Sequence, residues 1–131
     1  MSIYLITGGA GFIGSNLAAR LVKNKEQVRI IDNFSTGKME NIAEFSKELE
    51  IIDADIFNLD SVREAVKGVD YVLHQAALPS VARSITDPIR ANEVNIVGTL
   101  NILVAARDAG VKRVVYASSS SAYGDTPTLP K

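Results

Sequence analysis

Apolar runs recur along the chain at residues 3–6, 28–31, 49–52, 70–74 and 111–116. Each is short and bounded by Gly, Asn, Asp or Ser, so each reads as a buried strand. Segments of helical period lie between them. Phe12, Ile13, Leu17, Leu21 and Val22 recur at helical spacing, and Asn24-Lys25-Glu26 closes that segment. Residues 39–45 predict a short helix, and residues 61–66 another that ends near Gly68. The longest helix starts at Asp87-Pro88, since proline suits a first turn, and Ala109-Gly110 stops it. Its positions Ile89, Val94, Val97, Leu100, Ile102, Leu103 and Ala106 form a broad apolar face, expected to be buried on a sheet. Strands that alternate with helices run parallel, because crossovers of this length are right-handed and make no hairpins. The expected architecture is α/β, a doubly wound parallel sheet of order 3-2-1-4-5. A ligand is expected across the carboxyl ends of strands one and four, where the order reverses.

The turn after the first strand carries the first chemical signal. Thr7-Gly8-Gly9-Ala10-Gly11-Phe12-Ile13-Gly14 joins strand to helix, and three of its glycines have separate tasks. Gly8 turns the chain off the strand. Gly11 lacks a Cβ, so a pyrophosphate can approach the backbone. Gly14 lets the helix pack closely. The amides at the helix N-terminus, Phe12 and Ile13 among them, then face the phosphates with the helix dipole behind them. A tight turn without a ligand has the same pattern, so the second strand decides. It ends on Asp32, 18 residues past Gly14, where a Rossmann unit places the carboxylate that binds the adenosine ribose. A carboxylate there repels a 2′-phosphate by very roughly 1–4 kcal/mol per unit charge at about 4 Å. No Arg follows to offset it, so the expected cofactor is NAD rather than NADP.

Further candidates sit at the other strand ends. Asn33, Phe34, Ser35, Thr36 and Gly37 form a polar turn that serves as a loop and helix cap and as contacts to the adenosine end. Asp55 is placed to accept from the adenine amino group with Ile56 packed on the ring, although an acid there also suits a helix start. Gln75, Ala76 and Ala77 follow strand four, and the small residues let backbone approach a flat ligand. His74, the single histidine, reads as a structural hydrogen-bonder closing a buried strand rather than as a catalyst. Asn95 falls on the apolar helix face and needs partners there, structural or beside the site. The polar run 118–121 directly follows strand five at the cofactor edge.

Composition narrows the partners. The 131 residues suggest one domain, 1–131. The net charge of −1 gives no basic field, so nucleic acid is not an expected partner. The chain has no cysteine, which excludes disulfides, zinc-thiolate sites and thiol nucleophiles and fits a cytoplasmic location. No apolar run approaches the roughly 18–20 residues that span a bilayer, and no signal segment is expected ahead of the first strand.

The glycine turn resembles the TGxxGxxG turn of the extended short-chain dehydrogenase/reductase family. Asp32-Asn33, Asp55-Ile56, His74-Gln75-Ala76-Ala77, Asn95-x-x-Gly98-Thr99 and Ser118-Ser119-Ser120-Ser121-Ala122-Tyr123-Gly124 match further family motifs in order. The stretch 74–84 followed by Asp87-Pro88 is most similar to sugar-nucleotide 4-epimerases acting on UDP-glucose or UDP-N-acetylglucosamine. The resemblance implies reversible hydride transfer at sugar C4 through a 4-keto sugar, with NAD held throughout. It places a hydrogen bond to the reacting oxygen on Ser119, or on Ser118 or Ser120 if the register shifts. It puts Gln75, Ala76, Ala77, Asn95 and Ser118 on the cofactor and Ser80, Val81, Ser119 and Ser120 on the UDP-sugar. Tyr123 is not the base, because Pro127 stands where the family's Tyr-x-x-x-Lys pair has lysine. That pair is not found in the chain. The expectation is an incomplete NAD-binding Rossmann domain, the N-terminal half of an epimerase, inactive alone and forming a homodimer through the long helix.

The alternatives are 4,6-dehydration or decarboxylation of a sugar nucleotide on the same scaffold, a dinucleotide-binding module without catalysis, and a structural domain with no ligand.

Overall fold

The structure, a computed structural model, describes residues 2–35, 37–76 and 96–116. The elements are β1 (Ile3–Thr7), α1 (Phe12–Lys23), β2 (Gln27–Asp32), two 3₁₀ turns (Met39–Asn41 and Ala43–Glu48), β3 (Leu49–Asp53), α2 (Leu59–Ala65), β4 (Tyr71–His74), α3 (Gly98–Ala109) and β5 (Arg113–Tyr116). The five strands form one sheet in the order β3-β2-β1-β4-β5, and every pairing is parallel. This is the expected doubly wound sheet, with β1 at its centre.

Strand alternation explains the two layers. Leu5 and Ile31 point to one face and pack with Val62, Ala65 and Val66 around α2 and with Ile102, Ala105 and Ala106 of α3. Ile6 and Ile30 point to the other face, with Ala18 of α1 and Ile42. Both faces of the central strands are buried, which is why they read as continuous apolar runs. Each fully buried Leu or Ile contributes roughly 1.5–3 kcal/mol.

Three expectations are corrected. Residues 39–45 do not form one helix: the backbone leaves helical values at Ile42 and Phe45, and the segment is a pair of tighter turns. Ile42 is drawn fully into the core at the joint. Phe12 and Ile13 do not join the apolar face of α1: they are 81% and 58% exposed at its first turn. The face of α3 is narrower than its composition suggests. Gly98, Ile102, Ala105 and Ala106 are buried, and the small Gly98, Ala105 and Ala106 let α3 pack closely on α2 and the sheet. Val97, Leu100 and Leu103, with Ile96, point outward instead, Leu100 being 58% exposed. The helix start at Asp87-Pro88 lies outside the described residues.

Val115 and Tyr116 of β5 are exposed as well, so α3 and the β5 edge present apolar surface. The chain is therefore expected to brighten a hydrophobic dye and to self-associate as its concentration rises. A strict monomer at high concentration that leaves the dye dark would contradict this.

Candidate functional site

The site is built from the turn after β1. Gly8 holds φ +68°, the left-handed region that only glycine adopts freely, and its N–H donates to the Ile31 carbonyl at 2.8 Å. Close packing fixes the neighbouring glycines. A Cβ on Gly14 would stand 2.2 Å from the Gly8 carbonyl oxygen, so Gly14 lets α1 press against the turn itself. A Cβ on Gly9 would stand 2.4 Å from Ile30 Cγ2. Gly11 differs: a Cβ there would meet only the Gly8 carbonyl oxygen, at 3.3 Å, and otherwise open space.

Helix α1 starts without a side-chain cap and without an acid in its first turn, while Arg20 and Lys23 complement its C-terminus. Helix α2 is served from within: Asn58 accepts from Ser61 N–H, and Asp60 sits in its first turn. The first turn of α1, with exposed Phe12 and Ile13, thus keeps donors for an anion that no side chain among the described residues supplies as a cap.

Asp32 ends β2 beside this turn and is 9% exposed. Its Oδ2 accepts from Ala10 N–H at 2.9 Å, and its Oδ1 accepts from Phe34 N–H at 2.7 Å. Phe34 sits at φ +60°, an unusual value for an aromatic residue. Gly37 closes the group, because a Cβ there would stand 2.7 Å from Asp32 Oδ2 and 2.9 Å from the Ala10 carbonyl carbon. Asn33 Oδ1 accepts from Ser35 N–H at 3.0 Å, and Asn33 Nδ2 donates to Asp55 Oδ1. The structure therefore brings Asp32, Asn33, Phe34, Ser35, Gly37 and Asp55 together with Gly8, Gly11 and Gly14. The side chain of Ile56 is 5% exposed and packs in the core, so it offers no face to a ring, contrary to expectation.

His74 closes β4 opposite Thr7, and its partners fix its tautomer. Thr7 Oγ1 accepts from the Gln75 and Ala76 N–H groups at 2.9 and 3.0 Å, which uses both lone pairs. Its hydroxyl proton therefore goes to His74 Nδ1, at 2.6 Å, and His74 Nε2–H donates to Thr99 Oγ1 at 2.8 Å. His74 is a neutral strut between the central strand and α3, with burial holding its pKa down at about 4.

Sequence reasoning gave no role to Thr7, Gly9, Asn41, Thr99 or Asn101. Asn41 Nδ2 donates to the Ala10 carbonyl at 2.8 Å. Asn101 Nδ2 donates to the Ile56 and Phe57 carbonyls, at 3.0 and 2.9 Å, and fixes the loop after β3. Thr7 carried a signal as the polar residue that ends an apolar strand, and Thr99 as part of the motif Asn95-x-x-Gly98-Thr99. Thr36, Ala77, Ser80, Val81, Asn95, Ser118, Ser119 and Ser120 lie outside the described residues. Among the described residues, no buried side-chain polar atom lacks a partner and no cluster of three His, Cys, Asp or Glu suits a metal.

Comparison with known proteins points the same way. The family described as "NAD dependent epimerase/dehydratase family" matches residues 4–131. A UDP-glucose 4-epimerase of Mycolicibacterium smegmatis is 42% identical over 130 residues, covering 96% of this chain and 42% of its own. A UDP-N-acetyl-alpha-D-glucosaminuronate decarboxylase of Bacillus cytotoxicus is 45% identical over 120 residues, covering 92% of this chain and 37% of its own. Among solved structures, a UDP-glucose-4-epimerase from Stenotrophomonas maltophila, with bound NAD and formylated UDP-arabinopyranose, superposes with a TM-score of 0.90. It is 31% identical and covers 100% of this chain and 41% of that one. The chain thus spans about two fifths of the length of these relatives.

The buried histidine makes stability depend on pH. The unfolded chain takes up the proton near pH 6.5, and the folded chain resists it to about pH 4. The unfolded state binds more protons in that window, so stability falls as pH drops through it. The contribution, about 3 kcal/mol, is present in full above pH 6.5 and is lost by pH 4. Urea denaturation across this range is expected to show the loss, and His74→Gln is expected to flatten it. An unchanged slope in the variant would refute the assignment.

Proposed function

The chain belongs to the NAD dependent epimerase/dehydratase family, and from that premise we propose that it is the NAD-binding part of an enzyme that epimerises a UDP-sugar at C4. One observation carries the reading: the open turn at Gly11 and the unserved N-terminus of α1 lie beside a strand-end carboxylate, Asp32. A turn with room over its backbone and free helix-end donors suits a pyrophosphate, and an acceptor-only carboxylate suits ribose hydroxyls. The residues present fit the dinucleotide.

NAD, when bound, supplies the two-electron oxidant that takes a hydride from sugar C4 and returns it. The chain's own residues hold and orient. Gly8, Gly11, Gly14 and the first turn of α1, with Phe12 and Ile13, receive the pyrophosphate. Asp32 accepts from the adenosine ribose, with Asn33, Phe34, Ser35, Thr36 and Gly37 beside it. Asp55 takes the adenine edge, where Ile56 contributes backbone only. Gln75, Ala76, Ala77, Asn95 and Ser118 line the rest of the cofactor. Ser119 hydrogen-bonds the reacting oxygen, with Ser80, Val81 and Ser120 toward the UDP-sugar. A homodimer through α3 and a cytoplasmic location belong to the same proposal. No helix among the described residues is long and apolar enough to cross a membrane.

Decarboxylation is the second reading, favoured by the relative from Bacillus cytotoxicus, 45% identical, that bears that activity in its name. In a polypeptide joining this sequence to a Tyr-x-x-x-Lys segment, release of CO₂ from UDP-N-acetylglucosaminuronate would favour it. Conversion of UDP-glucose to its C4 epimer would favour the first.

Calorimetric titration of the chain tests the binding. NAD is expected to bind more tightly than NADP by about tenfold or more, and Asp32→Ala is expected to narrow that ratio whatever it does to overall affinity. The chain alone is expected to turn over no UDP-glucose, since no tyrosine in it is followed four residues on by lysine. Failure to bind NAD would sink the reading, and tighter binding of NADP would sink the role given to Asp32.

A further inference from the structure

The Ala10 peptide is the most heavily restrained piece of backbone in the glycine turn. Ala10 is fully buried, and its N–H is held by Asp32 at 2.9 Å. Its carbonyl accepts twice, from Lys38 N–H at 3.0 Å and from Asn41 Nδ2 at 2.8 Å. The next residue's N–H, that of Gly11, closes back on the Gly8 carbonyl at 3.0 Å, and α1 begins one residue later. Fixing the Ala10 carbonyl fixes the peptide plane that leads into Gly11 and so the direction of the helix start.

Asn41 is placed to do this by features of its own segment. It ends the first 3₁₀ turn, and its backbone N–H donates to the Lys38 carbonyl at 3.0 Å. Ile42, the next residue, is anchored fully in the core. Gly37 brings the segment down, since a Cβ there would stand 2.9 Å from the Ala10 carbonyl carbon. A side chain 31 residues downstream thus reaches the turn from an anchored base.

We infer that Asn41 is a positioning residue: by donating to the Ala10 carbonyl it holds the glycine turn in the shape that receives the dinucleotide's pyrophosphate. The inference rests on the NAD-binding reading and adds to it a residue that touches no ligand. Its effect is directional. An amide NH₂ facing a carbonyl attracts; a carboxylate of the same shape in the same place repels.

The test uses the full chain, its Asn41→Ala variant and the isosteric Asn41→Asp variant. NAD and ADP are expected to bind both variants about three- to tenfold more weakly, while adenosine, which lacks phosphate, binds as it does to the wild type. In the ligand-free proteins, amide hydrogen exchange at Gly11, whose N–H belongs to the peptide group that Asn41 holds, is expected to quicken about threefold or more, with the core amides of β1 unchanged. Wild-type affinity for ADP in Asn41→Asp would overturn the inference, because the donor would then be dispensable. An equal loss for adenosine and ADP would overturn it too, assigning Asn41 to the adenosine loop. Failure of the wild type to bind NAD would remove the cofactor reading itself, and unchanged exchange at Gly11 would remove the restraint independently of any ligand.

Discussion

At the end of β1 two pieces of backbone share a space that no side chain can enter. The Gly8 carbonyl oxygen lies 2.2 Å from where a Cβ of Gly14 would stand. That constraint sets how near α1 comes to the central strand, and the rest of the site follows from it. With α1 pressed on the turn, Ala10 lies under Asp32, Gly37 can close over both, and the first turn of α1 opens outward beside a carboxylate. Interdigitation at this density transmits any change: a methyl group at position 14 meets backbone, which cannot rotate away as a side chain can.

Asp32 is held by the same geometry. Both of its oxygens accept backbone N–H groups, from Ala10 and from Phe34. An amide in its place would turn one acceptor into a donor facing a donor. The residue is therefore constrained twice, by the turn that it braces and by the cofactor proposed for it. The NAD-to-NADP ratio separates the two roles, whereas overall affinity mixes them.

The fold was legible because its signals are periodic. Buried parallel strands are uninterrupted apolar runs, and the short crossovers admit one topology. The β1 turn was legible because Gly8, Gly11 and Gly14 stand at spacings set by backbone geometry. The braces were not. Asn41 sits in a mixed stretch and Asn101 interrupts an apolar one, and nothing local says that either side chain reaches a carbonyl tens of residues away. Thr7 accepts two backbone amides and thereby sets the tautomer of His74, a role that exists only once β1 and β4 are adjacent. The outward turn of Leu100 and Leu103 was hidden for a related reason: apolar periodicity reports a face, but not what covers it. Ile56 shows the reverse error, a residue assigned to a ligand by its position that the core had already claimed.

The two relatives that differ in reaction also bear on what this stretch of chain can specify. An epimerase and a decarboxylase match it at 42% and 45% identity over nearly the same residues. The glycine turn, Asp32 and the Thr7–His74–Thr99 strut all serve to set a rigid sheet edge, and none of them discriminates between breaking a C–H and a C–C bond. Binding energy collected at such an edge orients a cofactor equally for either chemistry. Under the function proposed above, the choice of reaction rests with acid and base groups that meet the sugar. Within this sequence the proposed function assigns only Ser119 to that contact, as a hydrogen bond and not as a base.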